Sequence, residues 1–351
     1  MDIPYLCDDI VFEEILTRVP ADFLHNNFRL VCRKWTELIS NPRFIKAHYS
    51  NAEQGLITLG PICFKLGWIA MRFMEIRECK MIVRLIKFRS FRSCEMPNLK
   101  SYSNGLLLLQ DGLNPHNLYV VNPATSNWIS FPPFSTALTG GRFDLVYVPC
   151  TQEYKVVHLI PDYNSFTFQC EIFTCGGSDS WRLVDSITDN RINKFFSGER
   201  AIVRGIIHWN VNSTQYIISM DLMEEKFRVV KLPHRHLYTQ VQLIEKGGFL
   251  SFLDRDPYGH INVWVLKDFQ TGDWVKEYII NMPWEVRQHL YHVITTVKNG
   301  EVIVFRRSGK HYFCVYDLKV GQWRVVKYRK KRHRFNAFYG PHANSLFSLN
   351  N

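Results

Sequence analysis

Five segments of the chain share one plan, in which an apolar strand meets a tight turn and an aromatic opens the return strand. They read LYVVNPATSNW, EIFTCGGSDSW, YIISMDLMEEKF, VWVLKDFQTGDW and YFCVYDLKVGQW, with aromatics Trp128, Trp181, Phe227, Trp274 and Trp323. The aromatics are spaced by 53, 46, 47 and 49 residues. A second signal, a glycine followed by aliphatics, precedes four of them by 22 to 26 residues, at Gly105, Gly205, Gly248 and Gly300. Gly55 stands 50 residues before Gly105 and adds a sixth unit, whose outer aromatic is not clean near Cys79 to Leu85. The unit at Glu153-Tyr-Lys-Val-Val lacks the glycine. Two signals kept in phase at about 40 to 50 residues are the mark of stacked four-stranded sheets, because each sheet repeats the same turns and the same outer aromatic. A sandwich is the alternative, but its strands need not repeat in phase. The repeat therefore predicts a six-bladed β-propeller-like domain over residues 55–351.

Residues before the repeat follow a different period. Asp8 or Asp9 caps a stretch in which Ile10, Val11, Ile15, Leu16 and Val19 recur at helical spacing, closed by Val19-Pro20. Asp22 offers a second cap before Phe23 and Leu24, and a third apolar stretch runs from Phe28 through Trp35, Leu38 and Ile39 to Asn41-Pro42. Three short helices over residues 1–48, joined by a linker at 49–54 to the β body, make the fold class mainly β with a small α module. So small a unit buries too little apolar surface to stand alone, so its helices should pack on something else. The chain's 351 residues and 50 aromatics (25 Phe, 16 Tyr, 9 Trp) exclude a largely disordered protein.

Charge and cysteine usage narrow the setting. The first 20 residues carry Asp2, Asp8, Asp9, Glu13 and Glu14 against Arg18, unlike a secretory or mitochondrial leader. The uncharged run 112–141 is broken by Pro115, Pro123, Pro132 and Pro133, so no membrane helix is expected. Nine cysteines without a CxxC pair argue against a disulfide framework or a zinc site and favour a reducing compartment, nucleus or cytoplasm. Residues 1–50 hold 7 acids and 6 bases, net −1; the rest holds 43−6=37 bases and 32−7=25 acids, net +12. A positive body favours an acidic partner.

Catalytic signatures are missing: there is no G-x-S-x-G elbow, phosphate loop, HExxH or dinucleotide fingerprint. The pairs His234/His236 and His289/His292 read as loop or strand-end histidines, so no metal and no cofactor is expected. The run Lys327-Tyr-Arg329-Lys330-Lys331-Arg332-His-Arg334 reads as a solvated turn after the Trp323 strand, with a nuclear-import signal or nucleic-acid contact as its other readings. Lys87-Phe-Arg-Ser-Phe-Arg92 interleaves bases with aromatics, which in a β body means one buried and one wet face.

Residues 6–48, with LCDDIVFEEILTRVP, FRLVCRKWTELISNPRF and His48, resemble an F-box, although Cys7 stands where the family usually has Pro. The body resembles the plant F-box-associated domain through Gly105-Leu-Leu-Leu-Leu, Val121-Asn-Pro-Ala-Thr125, Tyr154-Lys-Val-Val157, Gly205-Ile-Ile-His-Trp209 and Asp221-Leu-Met-Glu-Glu-Lys-Phe227. The resemblance implies a non-catalytic substrate receptor of an SCF (Skp-cullin-F-box) ubiquitin ligase. Such a receptor docks on a Skp-type adaptor, reaches cullin and RING subunits through it, and presents a target protein. The residues it assigns to the adaptor are Leu6, Ile10, Val11, Ile15, Leu16, Pro20, Leu24, Leu30, Val31, Cys32 and Trp35, with Trp35 the foremost anchor. From the residues alone, Ile10, Ile15, Leu16, Leu24, Val31 and Trp35 are equally core positions. Target loops are expected at 111–117, 161–165, 188–200 and 254–260. A basic propeller that binds nucleic acid and a propeller enzyme are the rival classes.

Overall fold

The computed structural model describes residues 10–59, 69–77, 80–88, 97–134, 141–162, 167–177, 179–184, 200–211, 213, 215–233, 242–287, 291–307, 312–327 and 339–349. They fall into two compact units, residues 1–75, 82–134 and 335–351 in one, and residues 76–81 and 135–334 in the other.

In the first unit, a π-helical turn at Ile10–Ile15 and a 3-10 turn at Leu16–Arg18 lead into α1 (Ala21–Asn26), a 3-10 turn (Phe28–Leu30), α2 (Arg33–Ile39) and α3 (Pro42–Asn51). Two expectations are corrected here. The stretch from Ile10 is wound as two turns of different pitch rather than one α-helix, with Thr17 Oγ1 donating to the Glu13 carbonyl at 2.5 Å. Pro42 opens a helix instead of ending one: Asn41 caps it, its side chain accepting from Arg43 N at 2.8 Å, and proline suits the first helical position because its missing N–H would be unpaired there anyway.

The same unit holds β1 (Gln54–Leu59), β2 (Ile69–Arg77) and β3 (Lys80–Phe88), then a sheet of β4 (Pro97–Ser103), β5 (Leu106–Asp111), β6 (Leu118–Val121) and β7 (Trp128–Ser130). The second unit holds the sheets β8 (Arg142–Val148), β9 (Glu153–Asp162), β10 (Thr167–Thr174), β11 (Arg182–Val184), and β12 (Arg200–Val203), β13 (Ile206–Trp209), β14 (Tyr216–Asp221), β15 (Lys226–Lys231). It continues with β16 (Gln242–Lys246), β17 (Phe249–Arg255), β18 (His260–Asp268), β19 (Asp273–Asn281), and after the one-turn α4 (Trp284–Arg287) with β20 (Tyr291–Val297), β21 (Val302–Arg307), β22 (Tyr312–Asp317), β23 (Gln322–Lys327). Back in the first unit, β24 (Gly340–Ala343) pairs antiparallel with β1 and completes the sheet β24-β1-β2-β3. The six four-stranded sheets are the blades of a β-propeller, as the repeat predicts. The apolar stretch 346–349, a strand by composition, is not one in the structure: Gly340–Ala343 pairs with β1 instead.

Two recurrent turns explain the phase of the sequence signals. Between first and second strands, Asn104-Gly105 (φ 48° and 84°), Arg204-Gly205 (50° and 84°) and Gly247-Gly248 (58° and 80°) place two consecutive residues in the left-handed region, as type I′ hairpins require, whereas the last blade turns through residues 298–301 with Lys298, Asn299 and Gly300 all left-handed (54°, 53° and 81°). The third blade turns through Gln152 (φ 58°) without a glycine, which is the irregularity of its sequence. Between third and fourth strands, the side chains of Asn122, Asp221, Asp268 and Asp317 each accept from the backbone N–H groups two and three residues on. Four residues after each stands a left-handed residue, Ser126, Glu225, Gly272 or Gly321, and two further on the aromatic. That indole then ties neighbouring blades of the second unit. Trp274 Nε1 donates to the Lys231 carbonyl at 2.9 Å, and Trp323 Nε1 to the Asn281 carbonyl at 2.8 Å.

Between blades lie apolar cores, one around Val157, Trp209 and Met220, one around Ile217, Phe252 and Leu266, and one around Val263, Ile303 and Cys314. In the first unit Ile57, Phe88, Leu107 and Val121 form the equivalent core; residues 89–92 of the basic stretch 87–92 lie outside the described residues. Trp209 also carries a polar tie: its Nε1 donates to Asp144 Oδ2 at 2.8 Å, and Arg200 pairs with the same carboxylate at 2.6 Å.

Candidate functional site

Packing in the helical module sorts its apolar residues into three kinds. Leu16, Ala21, Leu24, Ile39, Phe44 and Ile45 are buried in one cluster, which Ala124 and Leu346 from beyond the helices complete. Val11, Phe12, Val19, Phe28, Trp35 and Leu38 are half-buried around it, with the Phe28 and Trp35 rings edge to face at 5.5 Å. His48 locks α3 to the Val19-Pro20 link, its Nε2–H donating to the Val19 carbonyl at 2.8 Å, and burial pushes its pKa below the usual imidazole value. Ile10, Ile15, Phe23, Leu30 and Val31 are exposed although large and apolar.

The residues that the sequence assigns to an adaptor are thus divided. Leu16 and Leu24 are interior; Val11, Pro20 and Trp35 are half-buried; Ile10, Ile15, Leu30, Val31 and Cys32 face solvent. Leu6 lies outside the described residues. Leu30 is 72% exposed and Val31 63%, consecutive with the exposed Cys32 in the bend that leads into α2. Phe23, which the motif reading passes over, belongs with them: it sits on the outward side of α1, where Ala21 and Leu24 take the inward one.

A second set lies at the strand ends of the blades. Loops 111–117, 161–165 and 254–260 join second to third strands, and 188–200 joins a fourth strand to the next first strand. In an antiparallel meander both kinds of connection emerge at the same end of the sheet. Loops 161–165 and 188–200 lie almost wholly outside the described residues. In the first unit, loop 111–117 is fixed by Asp111, whose Oδ1 accepts from Leu113 N at 2.9 Å, and by Gln110 Nε2 donating to the Pro115 carbonyl at 2.6 Å; Leu113 is left exposed. In the second unit, Asp256 accepts from the backbone N–H and ring Nδ1–H of His260 at 2.8 and 2.9 Å, which fixes a turn that holds Tyr258 out in solvent. Gly259 (φ 84°) leaves room there for Arg287: a Cβ would fall 2.7 Å from its Nε, which donates to the Met282 carbonyl at 2.8 Å. That clamp seats α4 and its exposed Trp284 beside the Tyr258 turn. Trp284 is another residue that the repeat pattern does not flag, because it falls between repeats.

Several cations of the body are engaged among the described residues. Lys155 and Arg182 both bind Glu225, Lys246 and Lys267 both bind Glu277, Lys319 binds Glu301 and Arg324 binds Asp317. Burial pushes the Glu225 carboxyl up, but the hydrogen bonds and charges of Arg182 and Lys155 outweigh it and hold the pKa below the ordinary carboxylate value. Other cations lie over rings, Lys276 over Trp264 at 4.9 Å and Arg204 over Phe249 at 5.3 Å. Lys327 ends β23, and Arg329, Lys330, Lys331, Arg332 and Arg334 lie outside the described residues, as do His234, His236 and His289. Among the described residues no group of three or more His, Cys, Asp or Glu is placed to hold a metal ion, and Cys32, Cys150, Cys170 and Cys175 are free thiols. No helix of the described residues is long and apolar enough to cross a membrane.

Known proteins give this architecture a family. The nidogen/laminin complex crystal structure contains a chain with TM-score 0.51 at 9% identity, over 83% of this chain and 99% of that one, a likeness of fold alone. Three Arabidopsis thaliana proteins are similar in sequence. The F-box protein At3g07870 is 23% identical over 97% of this chain and 91% of its own length; the F-box protein At5g49610 is 24% identical over 77% of each. The F-box/LRR-repeat/kelch-repeat protein At2g27520 is 24% identical over 80% of this chain and 77% of its own. The model of the F-box associated beta propeller domain matches residues 75–349, which takes in five whole blades and, of the first blade, the end of β2, β3 and β24. The chain belongs to the plant F-box proteins that carry an F-box-associated β-propeller domain.

Proposed function

We propose that this protein is the substrate-recognition subunit of an SCF ubiquitin ligase, with residues 1–48 as its F-box and the propeller as target-binding body. The observation that carries the reading is the run Leu30-Val31-Cys32, exposed with Ile10, Ile15 and Phe23 on a module whose own core is filled. A Skp-type adaptor would cover that face and connect the chain to cullin and RING subunits. The target would be a protein held at the strand ends of the second unit that carry Tyr258 and Trp284, and the chemistry would belong to the ubiquitin-conjugating enzyme, leaving this chain non-catalytic. The run from Lys327 to Arg334 would serve nuclear import, which fits action in nucleus and cytoplasm. The test is reconstitution: the full chain mixed with purified Skp-type adaptor should give a one-to-one complex by size-exclusion chromatography and light scattering. A chain that is well folded yet forms no complex with any Skp-type adaptor of its plant would overturn the reading.

A further inference from the structure

The segment that follows β24 makes a set of contacts that strand pairing does not need. Within the first unit, Asn344 N donates to the Glu53 carbonyl at 3.2 Å, just where α3 gives way to β1. Ser345 is fully buried and its Oγ donates to the Asn104 carbonyl at 2.5 Å, in the hairpin of the second blade. Gly105 makes room for this passage: a Cβ there would fall 2.3 Å from the Ala343 carbonyl oxygen and 2.4 Å from Ser345 Oγ. Asn122, itself buried, donates through Nδ2 to the carbonyls of Ser345 and Phe347 at 2.9 and 2.8 Å while its Oδ1 caps the turn holding Ala124. Between those two carbonyls the Leu346 side chain enters the helical core beside Ala124, and the Phe347 ring meets Tyr49 of α3 edge to face at 5.3 Å. One short segment, continuous with β24 of the first blade, is thus bonded by its backbone to the α3–β1 link and to the second blade, and packed on the helices by its Leu346 and Phe347 side chains.

We infer that residues 344–349 are a positioning strap that fixes the helical module on the first two blades, so that the module is carried as a rigid arm and not on a flexible tether. The alternation is what gives it this capacity. Backbone carbonyls of Ser345 and Phe347 face Asn122, and the side chains of Leu346 and Phe347 face the helices, so the strap can hold both bodies at once. Its consequence for ligase action rests on the receptor reading above. A rigid arm confines which lysines reach the ubiquitin-loaded enzyme, whereas a loose one spreads them.

The test uses the full chain with Leu346→Ala and Phe347→Ala together, and Tyr49→Ala as a milder variant acting from the helix side. In hydrogen exchange on the free protein, amides of α1 and α3 should exchange at least about tenfold faster in the variants while β5 and β6 keep their protection. Unchanged protection of α1 and α3 would overturn the inference. So would joint loss of protection in α1, α3, β5 and β6, since the segment would then be an ordinary part of one cooperative core. In a reconstituted ligase the variants should bind adaptor within about twofold of the wild type while the set of lysines modified on the chain itself broadens. An unchanged set would refute the positioning role. Failure of the wild-type chain to bind any adaptor would count against the receptor reading instead, because the exchange experiment needs no adaptor.

Discussion

Replacing Leu30 and Val31 together by Ala should separate binding from folding. Full burial of a Leu or Val side chain is worth about 1.5–3 kcal/mol, and these two keep 72% and 63% of their surface in solvent, so each truncation should cost the fold less than about 1 kcal/mol. If they are central anchors of the adaptor interface, losing them costs binding about 2 kcal/mol or more, roughly thirtyfold in affinity. Leu24→Ala is the opposite case. Leu24 is completely buried, and the cavity it leaves should cost the module about 3 kcal/mol, so that any change in binding would come through the fold and not through lost contacts. Trp35→Ala, the first choice on sequence grounds, is less informative, since the half-buried indole packs on Phe28 and its loss disturbs fold and surface together. The assay is calorimetric titration with purified Skp-type adaptor, alongside thermal melts of each variant. The reasoning is refuted if the Leu30→Ala, Val31→Ala double variant melts with the wild type and binds adaptor with unchanged affinity.

Further predictions concern the body. Trp323→Phe keeps the ring but removes the hydrogen bond to the Asn281 carbonyl, and should lower stability by about 1 kcal/mol in chemical denaturation, with Trp323→Ala several times worse. Gly300→Ala should cost more than about 2 kcal/mol in the same assay, because φ is 81° and the new Cβ would lie 2.4 Å from Lys246 Cα, a backbone atom that cannot step aside. His208 is buried against Ser219, and burial pushes its pKa down to about 3. The unfolded chain takes up this proton near pH 6.5 and the folded chain does not, so its contribution is complete above about pH 6.5 and lost as pH falls toward 3, about 2 kcal/mol by pH 5. His342, pushed by burial to about 4, acts in the same direction. Urea unfolding at pH 7 and pH 5 should show a smaller drop for His208→Asn than for the wild type, and equal drops would contradict the assignment.

The propeller was legible because its turns have chemical requirements. Only a residue at ease with positive φ fits the second position of a type I′ hairpin, and only a short side-chain acceptor caps the outer turn, so Gly105 and Asp268 recur wherever the backbone repeats. The identity of the closing strand was not legible for the converse reason. Gly340-Pro-His-Ala343 has neither alternation nor β-branched residues, and it is a strand because β1 lacks another partner on that side. The neighbouring Leu346-Phe-Ser-Leu349 looked more like a strand, yet its apolar residues are claimed by the helices. Propensity describes a segment, whereas the vacancy beside β1 belongs to the whole chain.

The same distinction governs the candidate site. Ordered apolar positions identify the module, but a helical face that meets its own core and one that meets a partner have the same composition. Leu24 and Leu30 are the same residue type within one short stretch, one with no exposed surface and the other mostly in solvent. What separates them is supplied from far along the chain, by Ala124 and Leu346, which fill the inner side and leave the outer one open. The expectation that so thin a module must pack on something else therefore has two answers. Part of its apolar surface is met within the molecule, and only the remainder, around Leu30 and Val31, is left for another protein. A fragment ending near residue 50 would expose both faces at once, so its binding would report on the inner face as much as on the outer, and the full chain is the form in which the adaptor surface can be measured.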